Sequence, residues 1–205
     1  MKPIAAFVYA MLLVTGLTWT AAAGADSGPD ALIKTTTDEV LAVIKQTSDP
    51  QKLVQVAQTK VLPHFDFQRM TRLAVGRGWA TASPQQQQAL EKEFRELLVR
   101  TYTHALATGK GKDATVTVTP LRTGAGDNEA TVKTQVRTAG EKPIPIDYQM
   151  ENTPSGWKIF DVAVDGISLV TNYRESFAAE ISKSGIDGLL KLLTAKNRTR
   201  DAVRS

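Results

Sequence analysis

The chain has 205 residues, no cysteine and a formal net charge of +4 at pH 7, from 25 Lys and Arg against 21 Asp and Glu. Without cysteine, the chain has no disulfides, no thiol nucleophile and no route to a lipid-modified N-terminal cysteine. The excess of basic residues is small and lacks a basic run with interleaved aromatic residues, so we expect no nucleic-acid partner.

The first 25 residues have the pattern of a secretory signal peptide. A lysine and a short apolar run, 4–17, precede small residues that offer cleavage after Ala23 or Ala25. An uncleaved membrane anchor is the alternative, but the apolar run is too short to span a bilayer. We therefore expect residues 1–25 to be removed and residues 26–205 to form a single exported domain.

The next part of the chain carries apolar residues at helical spacing. It predicts helices over 33–44, 50–61, 67–74 and 84–106. Asp49 and Ser83 each stand directly before a proline, which is a common start of a helix. Pro63, Gly76 and Gly109 are the expected stops.

After residue 114 the pattern changes to the two-residue period of β-strands. It predicts four strands, at 116–118, 130–136, 144–150 and 156–164. Short turns between them indicate an antiparallel meander that is apolar on one face. The last strand is apolar on both faces, with Trp157 and Ile159 opposite Phe160 and Val162, so we expect it to be central or covered twice.

Apolar residues return to helical spacing after residue 168. They predict two closing helices, over 169–182 and 186–193. The expected fold class is therefore α+β, with a four-stranded antiparallel meander covered on one face by helices.

The chain lacks the usual marks of catalysis. It has no nucleophile elbow, P-loop or GxGxxG motif, and neither His64 nor His104 has a partner at metal-ligand spacing. By strand alternation, Asp147 and Asp161 point away from the apolar face, so no acid or base is expected inside. We predict no catalytic residue, no metal and no cofactor, which leaves the interior as either a plain core or an apolar ligand cavity.

Three stretches carry motifs that are familiar as a set. They are FDFQRMTRLAVGRGW at 65–79, FRELLVRTY at 94–102 and GWKIFDVAVDGISLVTNYRESF at 156–177. In this order they resemble the signatures of the MlaC/toluene-tolerance auxiliary (Ttg2-type) family of periplasmic phospholipid-binding proteins.

The resemblance implies a function as well as a fold. It implies a monomeric periplasmic carrier that holds the acyl chains of a phospholipid in an apolar pocket between sheet and helices. Such a carrier moves lipid between an outer-membrane lipoprotein–porin complex and an inner-membrane ABC transporter with a ring of lipid-binding subunits, and so maintains the lipid asymmetry of the outer membrane. The competing interpretation is a periplasmic adaptor whose interior is plain core. An isomerase or hydrolase of similar fold is disfavoured by the missing inward acid.

The candidate lipid-binding residues combine the inward strand positions with the apolar sides of the helices. From the strands they are Val116, Val132, Val136, Ile146, Tyr148, Phe160 and Val162. From the helices they are Met70, Leu73, Phe94, Leu98, Tyr102, Val170, Tyr173 and Phe177. Arg69, Arg72 and Arg174 are candidates to meet a lipid phosphate or an acidic partner, with a solvated surface as the alternative.

Overall fold

The structure is a computed structural model that describes residues 28–47, 49–107, 112–120 and 127–202, with side chains other than those of 50, 103–107 and 199–202. The predicted signal peptide and the predicted helix stop at Gly109 lie outside the described residues. No helix in the described ranges combines the length and the apolar character needed to cross a membrane.

The helices of the structure are α1 (Pro29–Gln46), α2 (Pro50–Val56), α3 (Phe67–Val75), α4 (Gly78–Thr81), α5 (Pro84–Ala107) and α6 (Leu169–Ala202). Among them, α2 and α5 begin where Asp49 and Ser83 predicted them. The Asp49 carboxylate accepts the Gln51 N–H at the start of α2. Ser83 and Gln86 exchange side-chain to backbone hydrogen bonds at the start of α5, which forms a capping box.

The first helices differ in detail from the sequence prediction. Helix α1 begins before its predicted start at residue 33, and the short α4 was not predicted. The run that starts at α2 becomes a π-helical turn over the last predicted residues, Ala57–Val61, and continues beyond its predicted end through a 3₁₀ turn, Leu62–His64. The predicted pair of closing helices is confirmed, since α6 consists of two helical parts on either side of Gly185, where φ is +68°. That backbone conformation strains residues with a side chain, so glycine separates the two parts of α6.

The sheet is an antiparallel meander, as predicted, but it has five strands among the described residues. In spatial order they are β1 (Thr115–Val118), β2 (Glu129–Arg137), β3 (Ile144–Thr153), β4 (Gly156–Val164) and β5 (Ile167–Ser168). The fifth strand, β5, was not predicted from the sequence and follows the two-residue turn Asp165–Gly166. Both turn residues have positive φ, 52° and 79°, as tight hairpins require.

The pairing of β4 with β3 slips at one residue. Consecutive residues of β3 pair with Ile159 and Asp161, which leaves Phe160 as the extra residue of a β-bulge. Ile159, before the bulge, and Val162, after it, therefore join the same apolar cluster. The prediction that Phe160 and Val162 share a face is wrong, because simple alternation assumes an unbroken strand. Phe160 lies opposite Trp157, as predicted, but Val162 lies on the same face as Trp157 and Ile159.

Buried apolar residues form two clusters. The helical cluster joins α3, α5 and α6 and consists of Phe67, Met70, Ala74, Val75, Ala82, Leu90, Phe94, Leu97, Leu98, Val170, Phe177, Leu189 and Leu193. The sheet cluster consists of Ile33, Val132, Met150, Trp157, Ile159 and Val162. Phe65 packs against both clusters and so connects them.

Asp161 connects the last two strands to α6. It is only 5% exposed, and its carboxylate accepts the backbone N–H groups of Val162 and Val170 and the hydroxyl of Ser168. A buried carboxylate is tolerated when its oxygens are occupied by donors in this way. The start of α6 is therefore fixed relative to β4 and β5.

We predict that Asp161→Ala lowers the free energy of unfolding by about 1–3 kcal/mol, because it leaves buried N–H donors without an acceptor. Urea unfolding of the exported protein measures the change. Asp147→Ala, on a half-buried residue of β3, is the matched control and should change stability little. Equal losses in the two variants would contradict a bridging role for Asp161.

Candidate functional site

The inner face of the sheet, defined here as the face that carries the sheet cluster, is covered at one end and open at the other. Alternate residues of β3 share this face and show the change along the strand. Met150 is fully buried, Tyr148 and Ile146 are half-buried, and Ile144 is 42% exposed. Burial is therefore complete at Met150, partial at Tyr148 and Ile146, and lowest at Ile144, at the start of β3.

The neighbouring strands show the same gradient. In β2, Val132 is fully buried whereas Val136, four residues later, is half-buried and pairs with half-buried Val116 of β1. On the other side of β3, Val164 is half-buried and pairs with Ile167 of β5, which is 64% exposed. These residues continue the inner face beyond the part that is buried.

We call this uncovered apolar region the open end. It consists of Val116, Val136, Ile144, Ile146, Val164 and Ile167. The sheet cluster on the same face includes Ile33 of α1, and Leu32 packs against it. An apolar surface that is continuous with the core but uncovered suits an apolar ligand.

Tyr148 marks the boundary between the buried and the open parts of the inner face. Burial raises the pKa of its hydroxyl, while a hydrogen bond with Thr134 acts in the opposite direction. Yet the residue keeps part of its accessible surface. Tyr148 therefore lies at the margin of the sheet cluster, and its hydroxyl is uncharged at neutral pH.

A second group of aromatic residues, separate from Tyr148, lies on helices α5 and α6. Tyr102, near the end of α5, is 40% exposed, and its pKa is raised by burial and by the nearby Tyr173. Tyr173 packs edge-on against Phe94, with ring centroids 5.0 Å apart. In the first turn of α6, Leu169 packs against the sheet cluster while Val170 belongs to the helical cluster. The helix that carries Tyr173 therefore starts where the two clusters meet.

The structure distributes the fifteen predicted site residues over several environments. In or against the sheet cluster lie Val132, Ile146, Tyr148 and Val162. In or against the helical cluster lie Met70, Leu73, Phe94, Leu98, Val170, Tyr173 and Phe177. Val116 and Val136 lie at the open end, to which Ile146 also belongs, and Tyr102 lies on the exposed end of α5.

Phe160 is the predicted site residue that the structure moves away from the others. The guanidinium of Arg69 lies 3.6 Å from the centroid of its ring, on the side of the sheet where Arg69 pairs with Glu129 and Glu151. The bulge explains this position, because it turns Phe160 away from Val162.

Sequence reasoning missed three residues of the open end, namely Ile144, Val164 and Ile167. The available signal was their phase, since Ile144 is two residues before Ile146 and Val164 is two residues after Val162. Of the three candidate arginines, Arg69 is held by the two glutamates and Arg174 donates to the carbonyl of Leu73 at 2.9 Å. Arg72 lies in a separate cleft on α3.

Comparisons with known proteins give one consistent family. The family model described as MlaC protein matches residues 34–195. The toluene tolerance protein Ttg2D of Pseudomonas putida is 25% identical over 165 residues, which cover 78% of this chain and 75% of that protein. The intermembrane phospholipid transport system binding protein MlaC of Haemophilus influenzae is 22% identical over 193 residues, 90% of this chain and 89% of that protein.

A solved structure agrees with the family model. The phospholipid-binding protein of Ralstonia solanacearum, determined in complex with a phospholipid, matches with a TM-score of 0.76 and 38% sequence identity. The match covers 84% of this chain and 98% of the other. Since the family model spans most of the sequence and the fold agrees over the same region, this chain belongs to the MlaC protein family.

Proposed function

We propose that this protein is a periplasmic phospholipid carrier that holds acyl chains against the open end of the sheet. The observation that carries the proposal is the loss of burial along the inner face, from fully buried Met150 to exposed Ile144 and Ile167. The Ralstonia solanacearum relative, 38% identical over 98% of its length, was solved with a phospholipid. That relative supports lipid as the occupant of the uncovered surface.

The physical need for such a carrier follows from the ligand. Two acyl chains contain roughly 30 methylenes, and at about 0.8 kcal/mol each their exposure to water costs on the order of 20 kcal/mol. Spontaneous transit through an aqueous compartment is therefore prohibitively slow. A carrier has to cover the chains in transit and release them when it meets a partner, which requires different lipid affinities in the free and docked states.

The polar groups around the open end suit low headgroup selectivity. Thr134 and Tyr148 are hydroxyl residues, and Thr134 already donates to the carbonyl of Ile146. They offer no charge to distinguish one headgroup from another. In this proposal the headgroup faces solvent, the lipid is cargo rather than a cofactor, and the protein carries out no chemistry on it.

The carrier acts between membranes as an exported monomer without residues 1–25. Its proposed partners are an outer-membrane lipoprotein–porin complex and an inner-membrane ABC transporter with lipid-binding ring subunits. The name of the Haemophilus influenzae relative, an intermembrane phospholipid transport binding protein, supports this assignment. The result of this transport is the maintenance of outer-membrane lipid asymmetry.

The first test is chemical. We expect the protein purified from the periplasm to yield phospholipid on organic extraction, with mixed headgroups and chain lengths by mass spectrometry. Delipidated protein should regain lipid from vesicles. A protein that contains no phospholipid and takes none up would contradict the carrier proposal.

The second test separates cavity from core along one strand. Val136→Trp places an indole at the open end, where it occupies the volume proposed for an acyl chain. We expect lipid occupancy to fall while the thermal stability of the delipidated protein changes little. Both quantities are measured on the same preparation, by lipid-to-protein ratio and by thermal unfolding.

Two substitutions in β2 serve as controls for this test. Thr131→Trp, on an exposed residue of the opposite face, should leave occupancy unchanged. Val132→Trp, at a fully buried residue, should destabilise the protein by roughly 1–3 kcal/mol or more through overpacking. If Val136→Trp behaves like Val132→Trp and still retains lipid, then the open end does not hold the ligand.

A further inference from the structure

A second concave site lies apart from the open end. It is a cleft of about 330 Å³. It lies among α3, α4, the start of α5 and the polar face of β3, and its walls are Asp66, Gln68, Arg69, Arg72, Trp79, Gln87 and Glu151. The inner-face residues described above do not contribute to it.

The walls of this cleft are held in place by hydrogen bonds. Asp66 caps α3 by accepting the Arg69 N–H at 2.8 Å, and Arg69 reaches across to Glu129 and Glu151 on the sheet. On the other side, the Gln87 side chain donates to the carbonyl of Trp79 at 2.9 Å. The cleft is thus formed before any ligand arrives, which lowers the entropic cost of binding.

Among the charged side chains that line the cleft, Arg72 is the one whose guanidinium is available to bind a ligand. Asp66 serves as a helix cap, and Arg69 and Glu151 neutralise each other. Within the described part of the chain, Arg72 makes no side-chain hydrogen bond or ion pair, and the indole N–H of Trp79 has no acceptor. The half-buried Trp79 ring packs against the helical cluster and exposes its remaining surface.

These groups define the chemistry of the ligand. A guanidinium binds a carboxylate or phosphate through paired hydrogen bonds, and an indole offers an apolar surface with one donor. The carboxylates of Asp66 and Glu151 line the same cleft, so they repel a ligand with several negative charges. The lining is mostly polar and Trp79 is its apolar residue, so the site suits a single anionic group with one apolar neighbour.

The position of the cleft favours a protein segment over the headgroup of the carried lipid. Glu151 and Ile144 are seven residues apart on β3, which is about 23 Å along a strand. The odd spacing also places them on opposite faces of the sheet. A headgroup whose chains lie at the open end does not reach the cleft.

We propose that the Arg72–Trp79 cleft docks a partner protein through a segment that presents one carboxylate next to an apolar side chain. Arg72 binds the carboxylate and the Trp79 ring packs against the apolar side chain. The proposal does not depend on lipid carriage, because the two sites share no residue. It gives the carrier a contact for a protein partner that leaves the open end free.

The test uses the indole signals of the exported protein in ¹⁵N NMR spectra. After loss of residues 1–25, two tryptophans remain, Trp79 in the cleft and Trp157 in the core, so Trp157 is an internal reference. The probe is the capped pentapeptide Ac-Gly-Leu-Glu-Leu-Gly-amide. We expect it to shift the Trp79 indole signal in a saturable manner while the Trp157 signal stays in place, and added salt should weaken binding.

Matched variants assign the effect to Arg72. Arg72→Ala should weaken peptide binding about tenfold, as expected for loss of a charge-assisted hydrogen bond. Arg72→Lys should have an intermediate effect, since it keeps the charge and loses the paired geometry. Arg77→Ala, on an exposed arginine outside the cleft, should bind as the unchanged protein does.

Three results would overturn the proposal. A peptide with glutamine in place of glutamate that binds equally well would show that no carboxylate is recognised. If the Trp79 signal shifts with dissolved phosphoethanolamine or with phosphatidylglycerol vesicles but not with the peptide, then the cleft binds a lipid headgroup instead. If the Trp79 signal does not shift at peptide concentrations up to about 10 mM, then any binding is too weak for recognition and the cleft does not dock such a segment. None of these results bears on lipid content, so the carrier proposal is tested separately.

Discussion

The inner face of the sheet carries more apolar surface than the described helices and loops cover, and the proposed binding site follows from this imbalance. Leu32, Ile33, Phe65 and Leu169 pack in or against the sheet cluster, to which Met150 belongs. Beyond Tyr148 the same face continues to Ile144 without equivalent cover. A contiguous apolar surface next to a packed core promotes aggregation unless a ligand or partner occupies it. The uncovered end is therefore better explained as a binding surface than as incomplete packing.

Much of the fold could be predicted from local patterns. Caps such as Asp49 and Ser83 act within a few residues of themselves, so they fix helix starts in the sequence as they do in the structure. The antiparallel meander could also be predicted from the sequence, because short turns and the alternation of apolar and polar residues are local features. The bulge at Phe160 could not, since an apolar residue followed by Asp161 looks like regular alternation. Only the register of the partner strand β3 reveals the extra residue.

The site was harder to predict than the fold, because burial is a property of distant parts of the chain. Alternation correctly placed Val132 and Val136 on one face, but it could not tell that the first is core and the second half-exposed. That difference depends on which parts of the face are covered by residues far away in the sequence, such as those of α1, and α1 carries no motif of its own. The same reasoning explains why Ile144 and Ile167, at strand ends, were missed.

The two faces of the sheet have different roles: contacts on the polar face stabilise the fold, and the inner face is the proposed binding surface. Charged groups such as Arg69, Glu151 and Asp161 hold helices to the sheet from the polar side, and each has partners there. The inner face is left to apolar side chains, so a ligand on it displaces no structural ion pair. In the proposed carrier, lipid at the open end lies at the margin of the sheet cluster rather than within it. Loading and release then require changes only where burial is already low, while the fully buried parts of both clusters keep the empty protein folded.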